Sequence, residues 1–310
     1  PGIQATFSDA GHILGSTCIL LELTEDSRQR RVLFSGDLGL DKRPILRDPD
    51  KAPGADIVVM ETTYGDRQHK QLEPSIEELH EVINATVSRG GNVIIPTFAL
   101  ERAQEILFYL HAGKQDGILP DFLQVFLDSP MAISATEIFR RHPEWYDEHT
   151  ASLFASGHDP FQFSGLHFTR ETADSMAINQ IHSGAVIMAG SGMCTGGRIR
   201  HHLRQHLGRE HSSIVFVGYA AHGTLARRIV DGAKIVNIFG DEYPVRAAIH
   251  TIGGFSAHAG QTELLEWHRQ TGNPEHTFLV HGEKDSMTAF SRLLKGTRVD
   301  MPQLHQAFDL

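Results

Sequence analysis

Histidine and carboxylate residues in five short motifs have the types and spacing that hydrolytic chemistry needs. Each motif follows an apolar, strand-like run or lies in a glycine turn, which is how α/β folds hold ligands at a rigid sheet edge. Imidazole and carboxylate groups are also the ligands of hydrolytic zinc sites. The order of the motifs therefore predicts a metal-dependent hydrolase. The motifs are Gly11-His12, Ser35-Gly36-Asp37, Glu61-Thr62-Thr63-Tyr64-Gly65, Ser256-Ala257-His258 and Val280-His281-Gly282-Glu283.

Each motif taken alone has an ordinary structural explanation. A lone histidine in a turn or at a strand end, such as His12, His258 or His281, is more often structural, and Asp37 serves equally well as a turn cap. Glu61 ends the apolar run from residue 57 to residue 60, where an unpaired carboxylate would cost several kcal/mol. We therefore expect a histidine partner for Glu61. All five motifs together favour one shared site.

The composition sets limits on the class of protein. With 310 residues, of which 40% are hydrophobic, the chain is expected to form more than one core. Cys18 and Cys194 are its only cysteines, too few for a disulfide framework or a cysteine zinc site. This predicts a reducing, cytoplasmic setting in which zinc is held by imidazole and carboxylate. We expect neither a signal peptide nor a membrane span, because no basic-then-apolar start and no apolar run near roughly 20 residues occurs in this sequence.

The net charge of −10 argues against non-specific coating of nucleic acid, which needs a basic surface. It leaves room for a local basic groove. One candidate is the segment 198–209, which holds four arginines. A solvated helix face explains that segment equally well.

Strand-like and helix-like runs alternate along most of the chain, which predicts mostly parallel sheets covered by helices, with function at the carboxyl ends of strands. In the first 60 or so residues two strands follow each other directly, which predicts an antiparallel piece. Residues 145–164 are predicted to be a loop or lid. The predicted strands are 17–23, 31–34, 56–60, 92–96, 123–127, 185–189, 213–217, 234–238, 244–251 and 277–280. The predicted helices are 74–89, 100–112, 131–141, 172–181, 198–207, 225–230, 261–269 and 286–295.

The ordered motifs resemble the β-CASP branch of the metallo-β-lactamase fold, the RNA-processing nucleases that include the polyadenylation endonuclease and its bacterial and archaeal relatives. The resemblance runs almost from end to end, but no H-x-H-x-D-H motif occurs in the 310 residues. It rests on Asp9-Ala10-Gly11-His12-Ile13-Leu14-Gly15, on the Ser35, Glu61 and Val280 motifs given above, and on Phe255-Ser256-Ala257-His258. Gly190-Ser191-Gly192-Met193 and Gly218-Tyr219-Ala220-Ala221-His222-Gly223-Thr224-Leu225 resemble the inserted domain of the same family.

The resemblance implies a metallo-β-lactamase αββα-type sandwich, incomplete at its amino terminus, with an inserted doubly wound parallel β-CASP domain. The implied domains are 1–68 and 243–310 for the two parts of the hydrolase domain and 69–242 for the insertion. Since the sequence begins at Pro1, we expect either a processed form or a piece of a longer protein. We also expect an exposed sheet edge in the incomplete domain.

The resemblance further implies a role for each motif residue. His12 and His281 would each ligate one of two zinc ions, and the catalytic carboxylate Asp37 would bridge both. His258 would protonate the leaving oxygen, with Glu61 orienting it. In the family, the remaining ligands come from the H-x-H-x-D-H motif.

RNA contacts are expected at a glycine-rich loop that joins a strand to a helix, where backbone amides can bind phosphate. Ser191, Gly192, Thr195 and Arg198 are the candidates in this loop. For three other residues a role in RNA binding has less support. Arg102 is a weaker candidate in another first helical turn, Ser256 is a further one, and His222 is interpreted as structural.

The sequence thus predicts a zinc-dependent ribonuclease that hydrolyses phosphodiester bonds of single-stranded RNA in a cleft between two domains. An alternative is a catalytically incomplete RNA-binding or scaffolding subunit or fragment, favoured by the absent motif and opposed by the five retained residues. A small-molecule ester or thioester substrate is the least favoured reading. The sequence leaves open whether cleavage is endonucleolytic or exonucleolytic, which RNA sequence is preferred and which oligomeric state the protein adopts. A homodimer is one option.

Overall fold

The computed structural model describes residues 2–26, 28–68 and 71–309. The chain forms two compact units, one made of Pro1–His69 with Ala257–Leu310 and one made of Lys70–Ser256. The predicted domain boundary between residues 68 and 69 falls on His69, which lies outside the described residues. None of the helices in the described ranges has the length and apolar character needed to cross a membrane.

The first unit is built on one six-stranded sheet with the order β1-β2-β3-β4-β13-β14. Its strands are β1 (Ile3–Asp9), β2 (Thr17–Glu25), β3 (Arg28–Phe34), β4 (Ile57–Glu61), β13 (His276–Val280) and β14 (Arg298–Asp300). β2 pairs antiparallel with β3, which confirms the predicted antiparallel piece, whereas β3, β4, β13 and β14 run parallel. The sequence analysis did not identify β1 or β14. β1 forms an edge of the sheet, and its Phe7 is 63% exposed.

Two helices of the first unit, α8 (Gln261–Gln270) and α9 (Lys284–Ser291), pack on this sheet. Leu264 and Trp267 of α8 and Phe290 of α9 share a buried cluster with Leu33 and Met60 from the central strands. Burial of large apolar side chains is the dominant stabilising term in such a core. The packing of these helices therefore holds in place the strands whose ends carry the motif residues.

The second unit is built on a parallel six-stranded sheet with the order β12-β9-β5-β8-β6-β7. The central strands are buried along their whole length, as expected where helices cover both faces. The strands of the sheet are β5 (Val93–Pro96), β6 (Gln124–Leu127), β7 (Leu166–Phe168), β8 (Ala185–Ala189), β9 (Ser213–Phe216) and β12 (Ala248–Thr251); β10 (Ile235–Ile238) and β11 (Asp241–Pro244) form a hairpin. The helices are α1 (Leu72–Ser88), α2 (Arg102–Gln115), α3 (Pro130–Arg141), α4 (Glu148–Ala155), α5 (Thr172–Ala177), α6 (Ile199–His206) and α7 (Leu225–Val230).

Two predictions for the second unit are wrong. Residues 244–251 are not one strand, because β11 ends at Pro244 and β12 begins at Ala248 and joins β9 in the large sheet. Residues 145–164 are not simply a loop, because they contain α4, whose amino terminus is capped by a hydrogen bond from Thr150 N to Asp147 Oδ1.

The position of β12 affects the domain limits. The second compact unit extends to Ser256, whereas the sequence analysis ended the insertion at residue 242. The assignment of residues 1–68, 69–242 and 243–310 to named domains stays a prediction.

Candidate functional site

Three neighbouring parallel strands bring three motif residues to one edge of the first sheet. Glu61 ends β4, Asp37 lies just beyond the end of β3, and His281 follows β13. The pairing of Phe34 with Val59 and of Val280 with Glu61 puts these strand ends level. Parallel strands carry their carboxyl ends to the same edge, so the convergence follows directly from the topology.

The turns beyond the strands bring in the other two motif residues. His12 lies in the turn between β1 and β2, where Gly39 N donates to Ala10 O at 2.8 Å. His258 lies just before α8, where Ala259 N donates to Leu38 O at 2.7 Å. The loop after β3 is thus tied by backbone hydrogen bonds to both histidine segments.

Gly36 has a structural reason to be glycine. Its φ is +57°, and a Cβ at this position would lie 2.7 Å from Thr17 O. An L side chain would be both strained and in collision there. The glycine allows the sharp turn that follows β3 and precedes the Asp37 side chain.

The Asp37 carboxylate lies between two imidazoles. One oxygen, Oδ1, is 3.3 Å from His281 Nδ1, and the other, Oδ2, is 4.0 Å from His12 Nε2. Nδ1 of His12 is buried and makes no hydrogen bond within the described residues. A carboxylate with a different imidazole beside each oxygen is a donor set suited to bridging two cations.

Glu61, which is buried, and His258, which is partly exposed, form a pair beside Asp37. Glu61 Oε1 lies 3.0 Å from His258 Nδ1 and also accepts a hydrogen bond from Leu38 N at 2.6 Å, while Oε2 accepts one from Thr63 N at 3.3 Å. Burial acts to raise the pKa of Glu61, but these hydrogen bonds, led by that of His258, outweigh burial and hold the pKa below its ordinary value. The expected histidine partner of Glu61 is therefore present, and Glu61 is held as a carboxylate.

The imidazoles of the three motif histidines lie close together. The ring centroid of His258 is 4.2 Å from that of His12 and 5.6 Å from that of His281. Burial, followed by the proximity of His258, lowers the pKa of His12 to about 4. His12 is therefore neutral near pH 7, which is the form that ligates a metal.

Two overlapping groups have ligand atoms within 4.8 Å of one another, namely His12 with Asp37 and His258, and Glu61 with His258 and His281. Geometry alone thus allows His258 to act as a ligand or as an acid. Its contact with Glu61 engages Nδ1. A histidine held in this way is suited to proton transfer through its other ring nitrogen.

Sequence reasoning missed two hydroxyl groups around this cluster. Thr63 Oγ1 lies 3.2 Å from His281 Nδ1 and donates to His281 O at 3.1 Å, and Ser35 Oγ accepts a hydrogen bond from Glu61 N at 3.0 Å. Both residues lie inside the quoted motifs, so their positions in the sequence were available. What the sequence could not show is that Thr63 contacts His281 and that Ser35 contacts Glu61.

The predicted RNA-contacting residues lie in the second unit. Arg198 Nη1 donates to Asp128 Oδ1 at 2.8 Å and to Thr169 O at 2.7 Å, and Nη2 donates to Arg170 O at 2.7 Å. The guanidinium is thus engaged with the fold. Its role as a phosphate contact stays a prediction.

Asp128 is the residue in this region that sequence reasoning missed. It is fully buried, Oδ1 accepts from Thr169 Oγ1, and Oδ2 lies 2.7 Å from His202 Nε2 and accepts from Ser175 Oγ. Burial acts to raise its pKa, but these hydrogen bonds, led by that of His202, lower the pKa to about 2. A carboxylate just after a strand and before Ser129-Pro130 was a readable signal, because Ser129 caps α3.

The other predicted RNA contacts differ in accessibility. Thr195 is exposed, and its Oγ1 lies 3.5 Å from Ser191 Oγ. Arg102 is buried and forms an ion pair with Glu105. Ser256 is buried. Gly192 is half-buried, and the functional roles of these residues stay predictions. His222, which was interpreted as structural, is exposed.

Comparison with known families identifies two regions of the chain. Residues 103–229 match the Beta-Casp domain, and residues 242–302 match the Zn-dependent metallo-hydrolase RNA specificity domain. The second match starts close to the predicted boundary at residue 243 and includes His258 and His281.

Individual relatives align with nearly the whole chain. Ribonuclease TTHA0252 of Thermus thermophilus is 41% identical over 293 residues, which cover 94% of this chain and 65% of the relative. Transcription termination factor FttA of Thermococcus kodakarensis is 34% identical over 298 residues, covering 91% of this chain and 44% of the relative. FttA of Pyrococcus abyssi is 32% identical with the same two coverages, 91% and 44%. The chain thus spans less than two thirds of the length of these relatives. Together with the geometry of the site, these matches show that the chain belongs to the β-CASP family of the metallo-β-lactamase fold.

Proposed function

We propose that this chain carries the β-CASP part and most of the catalytic residues of a zinc-dependent ribonuclease that hydrolyses phosphodiester bonds of single-stranded RNA. The observation that carries the proposal is the cluster in the first unit, in which the Glu61–His258 pair lies beside an Asp37 carboxylate flanked by His12 and His281. The RNA specificity domain match and the ribonuclease name of the 41% identical relative support RNA as the substrate.

His12, Asp37 and His281 are the residues that would hold zinc. Two imidazoles and a carboxylate are ligand types that zinc accepts, and the neutral form of His12 suits ligation. When bound, zinc supplies Lewis-acid chemistry, which polarises a phosphoryl oxygen and favours ionised water near neutral pH. Two ions need more ligands than these three residues, and in the family the others belong to the H-x-H-x-D-H motif.

His258 is the proposed general acid. Glu61 engages Nδ1, so Nε2 is the atom that would transfer a proton to the leaving oxygen as the P–O bond breaks. The negative charge of Glu61 stabilises the protonated imidazole that this step requires. Glu61 is thus a positioning residue, itself fixed by the amides of Leu38 and Thr63.

The alternative considered in the sequence analysis is a catalytically incomplete RNA-binding or scaffolding subunit. The two candidates make different predictions for zinc and for cleavage.

The test compares the 310-residue chain with the same chain extended at its amino terminus by a segment that carries the motif, both purified without chelator. Zinc content and cleavage of labelled single-stranded RNA are measured. The ribonuclease proposal predicts about two zinc ions in the extended chain, with cleavage that EDTA abolishes. Asp37→Asn should lose both, whereas Asp26→Asn, at an exposed turn with φ +46° that asparagine tolerates, should lose neither.

Retention of zinc and cleavage in the Asp37→Asn protein would contradict the proposal. RNA binding without zinc uptake or cleavage in the extended chain would favour the incomplete subunit instead.

The proposal includes a cytoplasmic location and a homodimeric assembly. The two cysteines are free and buried, as expected in a reducing compartment.

A further inference from the structure

The second unit contains a pocket of about 480 Å³ at the carboxyl ends of β5, β6 and β8. Its size falls in the range of small-molecule and nucleotide sites, roughly 300–1,000 Å³. The walls come from three loops, one after each strand. The pocket is therefore built by the strand ends of one rigid sheet.

The topology of the sheet reverses at this pocket. β8 and β6 are neighbours, but the chain leaves β6 towards β7 on one side and leaves β8 towards β9 on the other. The loops after two such strands diverge and open a crevice, which is where open α/β sheets bind ligands. The pocket is lined by Thr97–Ala99 after β5 and by Gly190, Ser191, Gly197 and Arg198 after β8.

Two apolar side chains in the lining are exposed. Phe98 is 49% exposed and Met131 is 73% exposed, and both contribute to the pocket wall. Phe98 is also fixed from one side, because a Cβ at Gly192 would lie 3.0 Å from its ring atom Cε2. An aromatic ring that is held against a backbone and open towards a pocket is a preformed stacking platform.

The charged groups of the lining are already paired. The Arg198 guanidinium donates to Asp128 and to two carbonyl oxygens, and buried Asp128 also contacts His202, Thr169 and Ser175. With this cation matched by a carboxylate, the pocket suits a flat, neutral ligand more than an isolated phosphate.

We propose that this pocket binds one unpaired base of single-stranded RNA, which stacks on Phe98 and contacts Met131. The inference rests on the proposed function, which supplies single-stranded RNA as the ligand, and adds a base-binding site to it. Stacking on an aromatic platform is tolerant of base identity, since every base has a π face. The pocket therefore contributes affinity for single strands without requiring a particular sequence.

The experiment measures affinity of the 310-residue chain for two short single-stranded oligoribonucleotides of equal length, one with bases and one with abasic sugars. Phe98→Ala should weaken binding of the base-containing strand about fivefold or more and leave the abasic strand unaffected. Phe98→Trp should restore binding. The matched control is Phe122→Ala, which removes a 63% exposed phenylalanine outside the pocket lining and should change neither affinity.

Gly192→Ala is a second variant. It keeps the Phe98 side chain but should displace its ring, because the added Cβ would lie 3.0 Å from Cε2. It should lower affinity for the base-containing strand without the loss of any aromatic group. Thermal unfolding of each variant establishes that the fold is retained.

The results separate the base site from the proposed function. Equal affinity of Phe98→Ala and Phe122→Ala for the base-containing strand, or equal losses on both strands, would overturn the base site while leaving ribonuclease activity intact. Failure of the wild-type chain to prefer the base-containing strand would also overturn it. A Phe98-dependent preference together with an extended chain that does not cleave RNA would support the base site and contradict the ribonuclease.

Discussion

The protein contains two histidine–carboxylate pairs that look alike locally and differ in their surroundings. In the first unit His258 Nδ1 lies 3.0 Å from Glu61, and in the second unit His202 Nε2 lies 2.7 Å from Asp128. Both carboxylates are buried, and both have pKa values below the ordinary range because of hydrogen bonds led by the histidine. The pair itself therefore does not distinguish a catalytic group from a structural one.

The remaining neighbours make the distinction. The His258 side chain is partly exposed and lies beside His12, His281 and Asp37, whereas His202 is enclosed and its other nitrogen, Nδ1, makes no hydrogen bond to any described residue. An accessible imidazole can exchange a proton with a substrate, and an enclosed one can only hold its carboxylate. We infer that the second pair anchors Arg198 and the loops near it.

Replacing the two histidines in turn gives the largest expected difference. In a chain with the complete ligand set, His258→Ala should lower RNA cleavage by at least about a hundredfold, since a general acid contributes about 10²–10⁴. Glu61 would keep its bonds from Leu38 and Thr63, so the fold should be retained. His202→Ala should instead lower the free energy of unfolding by about 3 kcal/mol, because it removes one partner of a buried charge.

The RNA cleavage rate and the free energy of unfolding from chemical denaturation are measured for both variants. Unchanged turnover in His258→Ala would remove His258 from the mechanism. Wild-type stability in His202→Ala would remove the anchoring role of the second pair.

A smaller effect is expected from Thr63→Val. The Thr63 hydroxyl contacts Nδ1 and O of His281, and loss of a group that orients a metal ligand costs about 10–100-fold in metal affinity. Zinc titration in competition with a chelator measures the change. Thr6→Val on the exposed strand β1 is the matched control, and equal affinities of the two variants would show that Thr63 does not orient the site.

The last prediction concerns a buried histidine whose hydrogen-bond partner is a hydroxyl rather than a carboxylate. His206 Nδ1 lies 3.2 Å from Ser212 Oγ, and burial lowers the pKa of His206 to about 3. Below the ordinary histidine pKa of 6.5, the unfolded chain therefore binds more protons than the folded chain. The contribution of neutral His206 to stability is complete above pH 6.5 and is lost as the pH falls towards 3. His206→Gln should show a shallower pH dependence of unfolding free energy between pH 6.5 and 4. An identical slope in wild type and variant would contradict this account.

The sequence predicted the convergence of the motif residues better than their surroundings. Motifs at strand ends could be placed because parallel strands deliver their carboxyl ends to one edge, and the partner of Glu61 followed from the cost of an isolated buried charge. Asp128 was not predicted as a site residue although it also follows a strand, because its partner His202 is distant in sequence and belongs to no motif.

The missed strands have a similar explanation. Strand β1 has no buried face, and β7 and β14 are only three residues long, so neither alternation nor length marked them. The Phe98 pocket was also invisible in the sequence, since it depends on the reversal of strand order in the second sheet.

The most direct test of the central claim is the location of zinc by anomalous diffraction at the zinc edge, on crystals of the extended chain grown with zinc. We predict density ligated by His12, Asp37 and His281 at about 2.0–2.2 Å, with His258 Nδ1 still on Glu61 and no density at the Asp128–His202 pair. Zinc ligated by His258, or absent from Asp37, would contradict the assignment of His258 as the acid beside a metal centre.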